Sequence, residues 1–174
     1  MGGGGYRAQK VVTGTIKRTL VGLFFSAFLQ IPVQEKECVA TNEDKICYSR
    51  TSNLFQSYKE FIGRYCNGDK NEIMNSMKAY AEVFESTFDP NCCDANISST
   101  SSVERMNVLI FSLKNLTLIP YVLFVRKSVE SSGKESGVYA LLESYIVRRM
   151  LVQAIKKNQN GIFTSLILNE MKDA

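Results

Sequence analysis

The chain has 174 residues, 45% of them hydrophobic, which is enough for one domain with a real core. Its 21 Lys and Arg outnumber 17 Asp and Glu by 4, a surplus too small by itself to mark a nucleic-acid binder. Histidine is absent, which excludes a Ser-His-Asp triad, a Cys-His pair, an HNH nuclease centre and histidine-ligated zinc.

The opening MGGGGY has no core-forming residue before Tyr6, so residues 1–9 are expected to be a flexible lead-in or a cloning scar, with one helical domain over 10–174. Lys10, Lys17 and Arg18 precede the apolar run LVGLFFSAFLQIPV (Leu20 to Val33). That basic-then-apolar order resembles the start of a signal peptide, but the run is shorter than the ~20 residues of a spanning helix and no clean small-x-small cleavage site follows. It predicts a buried first helix that ends before Pro32. From Gln34 to Arg50 the sequence is charged and aperiodic, as expected of a connection.

A helix is predicted from Ser52, with Phe55, Tyr58, Phe61, Ile62 and Tyr65 at helical spacing, stopping at Asn67-Gly68. Asp69 followed by Glu72 suits a capping box and opens a helix through Ile73, Met77, Tyr80, Ala81, Phe84 and Phe88, which stops before Pro90. Asn91 to Thr100 is a loop by composition. Cys92 and Cys93 there are adjacent thiols without a second cluster, a poor metal site, and with Cys38, Cys47 and Cys66 they form no CxxC pair. Reduced thiols in a cytoplasmic protein are the expectation.

Ser101 with Glu104 makes another capping box before a mostly apolar run from Met106 to Val125, in which Pro120 predicts a kink near Leu116 to Pro120. Ser131 to Lys134 turns the chain into VYALLESYIVRRMLVQAI, residues 138 to 155. Apolar residues there fall on every side of a helix, so a central, almost wholly buried helix is expected at 138–156. Lys156, Lys157 and Asn158 then read as its end, and a last short helix spans Ile162 to Met171. No alternating segment is long enough to propose a sheet. The fold class is therefore all-α, a bundle of about five or six helices.

In that central helix Arg148 would project between Leu141 and Ile155, and Arg149 between Leu142 and Tyr145. A guanidinium surrounded by protein needs an anionic partner, since an unpaired buried charge costs several kcal/mol. Two readings stand side by side. Arg148 and Arg149 either form internal salt bridges with Glu82, Glu85, Glu104 or Glu143, or open to solvent with Lys156 and Lys157 as an anion or DNA-backbone pocket. The carboxylates of Glu60, Glu72, Glu82 and Glu85 have no companion at catalytic spacing, and neither a GxxxxGK[ST] loop nor GxGxxG occurs. No catalytic residue, cofactor or metal is expected.

The run LLESYIVRRMLVQAIKKNQNGIFTSLI, with SVERMNVLIFSLKNLTLIPYVLFV before it, resembles the helical region of GmrSD-type proteins over roughly Leu54 to Asn169. These bacterial modification-dependent restriction proteins join a ParB-like nucleotide-binding domain to an HNH-type nuclease domain. The chain lacks that family's acidic-glycine-glutamine-glutamine-arginine motif and the histidines of its nuclease. The resemblance thus implies a non-catalytic region of a phage-defence system that connects the two domains of its parent and contacts DNA through its basic residues, away from any membrane. The alternative is an independent helical module whose apolar helix near Leu20 to Val33 meets a protein partner or a membrane surface.

Overall fold

The structure is a computed structural model that describes residues 3–13, 16–35, 48, 53–66, 69–92, 97, 99–100, 102–129, 135–152 and 159–173. In chain order the elements are α1 (Gly3–Ala8), β1 (Lys10–Thr13), β2 (Ile16–Thr19), α2 (Leu20–Glu35), α3 (Leu54–Tyr65), α4 (Lys70–Thr87) and α5 (Val103–Asn107). A π-helical stretch, Val108–Ser112, and a 3-10 turn, Leu116–Leu118, lead into α6 (Ile119–Val129), α7 (Glu135–Leu151) and α8 (Gln159–Asp173). The fold is an all-α bundle. The strands β1 and β2 form one short antiparallel hairpin, Lys10 opposite Thr19 and Thr13 opposite Ile16, too brief to leave an alternating pattern in the sequence.

The bundle is built around α2. Leu20, Leu23, Phe24, Ala27, Phe28, Leu29, Ile31 and Val33 are all buried, and α6 and α8 pack along it with α3 and α4 beside them. No residue of the run Leu20 to Val33 carries a charge, so burying most of the helix takes no ion out of water. The helix continues through Pro32 to Glu35 instead of ending before it. Burial of Val33 and Gln34 beyond the proline offsets the missing backbone donor. Among the described residues no helix is long and apolar enough to cross a membrane.

The expected central role of 138–156 is overturned. On α7 only Tyr139, Leu142 and Ile146 are buried, a single stripe at i, i+3 and i+7, while Leu141 is 73% and Leu151 77% exposed. Three charged side chains, Glu143, Arg148 and Arg149, account for this, because turning the helix outward spares a guanidinium the cost of leaving water. The final helix of the bundle, α8, contributes Phe163 and Ile167 to the core.

Caps and breaks follow local chemistry. Asp69 caps α4, its carboxylate accepting from the Asn71 backbone N–H at 2.8 Å, and α4 ends at Thr87 ahead of Pro90. The run Met106 to Val125 does not kink as one helix. After the π-helical stretch, Lys114 turns the chain with φ 55°, and α6 restarts at Ile119 with Pro120 in its first turn, where a missing N–H costs little. Asn115, in a glycosylation sequon by sequence, is buried, and its Nδ2 donates to the carbonyls of Leu109 at 3.1 Å and Leu113 at 3.2 Å.

Where a flexible lead-in is expected over residues 1–9, α1 forms instead and docks on α4. The Tyr6 hydroxyl donates to the Phe88 carbonyl, with the Phe84 carbonyl at 3.4 Å. Two other expectations change in detail. Phe55, expected in the α3 stripe, is 84% exposed, while Phe61 is buried and Tyr58, Ile62 and Tyr65 half-buried. Cys66 and Cys92 are buried, whereas Cys38, Cys47 and Cys93 lie outside the described residues, as do Lys156 and Lys157.

Candidate functional site

Two regions hold what the sequence singles out or conceals. The first is the outer side of α7. Arg148 and Arg149 are adjacent in sequence, so their side chains leave the helix about 100° apart. Arg148 is exposed, on the face shared by Leu141, Leu151 and Val152 at offsets of seven, three and four residues. Arg149 is half-buried and lies back over its own helix. Its Nη1 donates to the Tyr145 hydroxyl at 3.2 Å, and its guanidinium carbon sits 5.5 Å from the Tyr145 ring centroid. Tyr145 in turn meets Phe163 of α8 edge-on, at 6.0 Å and 87°.

The acidic candidates are not gathered around these arginines. Glu143 belongs to Arg105: the Arg105 Nε donates to Oε2 at 2.9 Å and its Nη2 to Oε1, a two-point fork that ties α5 to α7. Hydrogen bonding to this carboxylate holds the Arg105 guanidinium above its ordinary pKa. Glu104 is exposed on α5, and the Ser102 side chain beside it, with its own backbone N–H, holds its carboxyl below the usual range. Glu82 and Glu85 are exposed on α4. A second ion pair, Arg126 Nη1 to Glu135 Oε2 at 2.6 Å, fastens the end of α6 to the start of α7.

The second region is a cleft of about 370 Å³ between α2 and α4, bordered at one end by Tyr6 of α1. From α4 it takes Met74, Met77, Lys78, Ala81, Phe84 and Glu85, which share one helical face; α2 supplies Leu20, Val21, Phe24 and Phe25, and α1 supplies Tyr6. Its walls are held firmly. Phe24 packs edge-on to Phe84 at 5.3 Å, and the Tyr58 hydroxyl donates to the Phe25 carbonyl at 2.7 Å. Burial pushes the phenol pKa of Tyr6 upward, with the negative charges of Glu85 and Asp89 adding to it, so this hydroxyl stays protonated and remains a donor.

The cleft was missed because the α4 pattern reads as one core stripe. It is two stripes. Ile73, Tyr80 and Val83 face the bundle, Met74, Met77 and Ala81 face the cleft, and Phe84 lies where the two meet; an apolar arc wider than one buried stripe is the signal that could have found it. Chemically, an apolar cleft with one amine and one carboxylate at its rim can hold a ligand but has no paired base and nucleophile to act on it. Among the described residues no group of three metal-ligating side chains comes together. Comparison of the chain with family models, with curated proteins and with solved structures finds no match.

Proposed function

We propose that this is a non-catalytic helical docking domain that joins neighbouring domains of one cytoplasmic parent protein. The observation that carries the reading is the outward face of α7, where Leu141, Leu151 and Val152 are all more than 70% exposed around Arg148. An apolar helix face of this kind, with a cation set in it, suits a partner surface that is apolar with an acidic spot. The GmrSD-like resemblance supplies the occupant: a flanking nucleotide-binding or nuclease domain of a restriction system. Burial of most of α2 supports this reading over the one in which Leu20 to Val33 meets a partner or membrane.

Hydrogen exchange tests the reading by comparing the 174-residue chain with the full gene product. Amides of 141–152 should exchange more slowly in the full product. Equal exchange, or a full product that ends with this chain, would overturn a flanking-domain contact. DNA contact through Arg148, with Lys156 and Lys157 beside it in sequence, is tested by titrating a short duplex at two salt concentrations. Binding that weakens with salt and in Arg148→Ala supports it, and no binding at low salt sinks it.

A further inference from the structure

We infer that the cleft between α2 and α4 is a binding site for a long-chain carboxylate, a fatty acid or a molecule of that chemistry. This inference stands apart from the docking role of α7. Its volume of about 370 Å³ falls in the range of small-molecule sites, far above the voids a packed interior leaves by default. The lining is that of an acyl-chain site. Phe24, Phe25 and Phe84 provide ring faces, and Met74 and Met77 provide unbranched, polarizable side chains that adapt to a flexible tail.

Charge sets the direction of the ligand. Lys78 and Glu85 stand seven residues apart on α4, about 10 Å along the helix, and both border the cleft. The Glu85 end is bordered by Tyr6, where Glu85 and Asp89 place negative charge that disfavours a second anion. At the opposite end Met74 is 47% exposed, and Lys78 offers the cation. The carboxylate therefore sits at Lys78, and the tail runs past Ala81 toward Phe84 and Tyr6. A neutral apolar ligand would gain nothing from Lys78, and an amine would be repelled by it.

The test uses cis-parinaric acid, a fluorescent long-chain carboxylate, and its methyl ester, titrated into the folded chain. The acid should bind saturably. Ala81→Phe, which places a ring in the path of the tail, should weaken binding by more than about tenfold, and Lys78→Ala should weaken the acid by about three- to tenfold without affecting the ester. Methyl NMR keeps the outcome readable if a variant fails to fold: the acid should shift Met74 and Met77 and leave Met106 in the core and Met150 on α7 unmoved. Absence of saturable binding, an Ala81→Phe variant that binds as tightly as the parent, equal affinity for acid and ester, or shifts at Met106 or Met150 in place of Met74 and Met77 would each overturn the assignment.

Discussion

Tyr6 does for α1 what helix propensity cannot. Gly3, Gly4 and Gly5 each cost about 1 kcal/mol relative to alanine in a helix, so a segment this short and glycine-rich persists only through its tertiary anchor. Tyr6→Phe keeps the ring and removes the donor to the Phe88 carbonyl; urea unfolding should show a loss of about 1 kcal/mol, and an unchanged midpoint would mean the hydroxyl contributes nothing. The adjacent arginines divide in the same way. Arg148→Ala should leave stability within about 0.5 kcal/mol, because the side chain is exposed, whereas Arg149→Ala should lower it by about 0.5–1 kcal/mol through loss of the Tyr145 contact. Thermal melts of the two variants check this, and equal melting temperatures would refute it. Adjacency in sequence made Arg148 and Arg149 look like one site. The 100° step of the helix separates them, and only the packing of α7 decides which one meets water.

The contrast between α2 and α7 shows what could be read at the level of elements and what could not. Both are apolar over a long stretch, and periodicity alone does not rank them. Charge does: Leu20 to Val33 has none, and 138–155 has Glu143, Arg148 and Arg149, whose burial would cost several kcal/mol each unless every one were paired. Weighing that cost against the apolar count would have named α2 as the core helix. The Asp69 cap was legible because it is local, whereas the cleft was not, because it needs α1, α2 and α4 together. Ile31→Ala, at a position with no exposure, should cost about 2–5 kcal/mol in chemical denaturation, while Leu151→Ala should cost less than about 0.5 kcal/mol. Similar losses for the two would return α7 to the interior.

Across the whole molecule, Tyr6, Tyr58, Tyr80, Tyr121 and Tyr139 stitch α1, α3, α4, α6 and α7 into the bundle, and burial raises each phenol above its ordinary 10.0, Tyr80 to about 12. Above pH 10.0 the folded chain holds protons that the unfolded chain releases, so their contribution is fully present below that pH and is lost as pH climbs through the folded values. In alkali, tyrosinate absorbance should therefore rise together with the loss of helical circular dichroism. A smooth titration centred near 10.0 with the helices intact would contradict it. The all-α class was legible because it sums many local signals, but the break after Ser112 was not, since no residue there is a known helix breaker. In that stretch the Leu113 and Asn115 N–H groups reach back five residues, to Val108 at 3.1 Å and Ile110 at 2.9 Å, so each turn accommodates more chain than the α form would. That slack makes Val108–Ser112 the segment where the gene can lose a codon and the polypeptide can reel in the difference, tightening to the ordinary winding while Asn115 and Leu118 keep their seats.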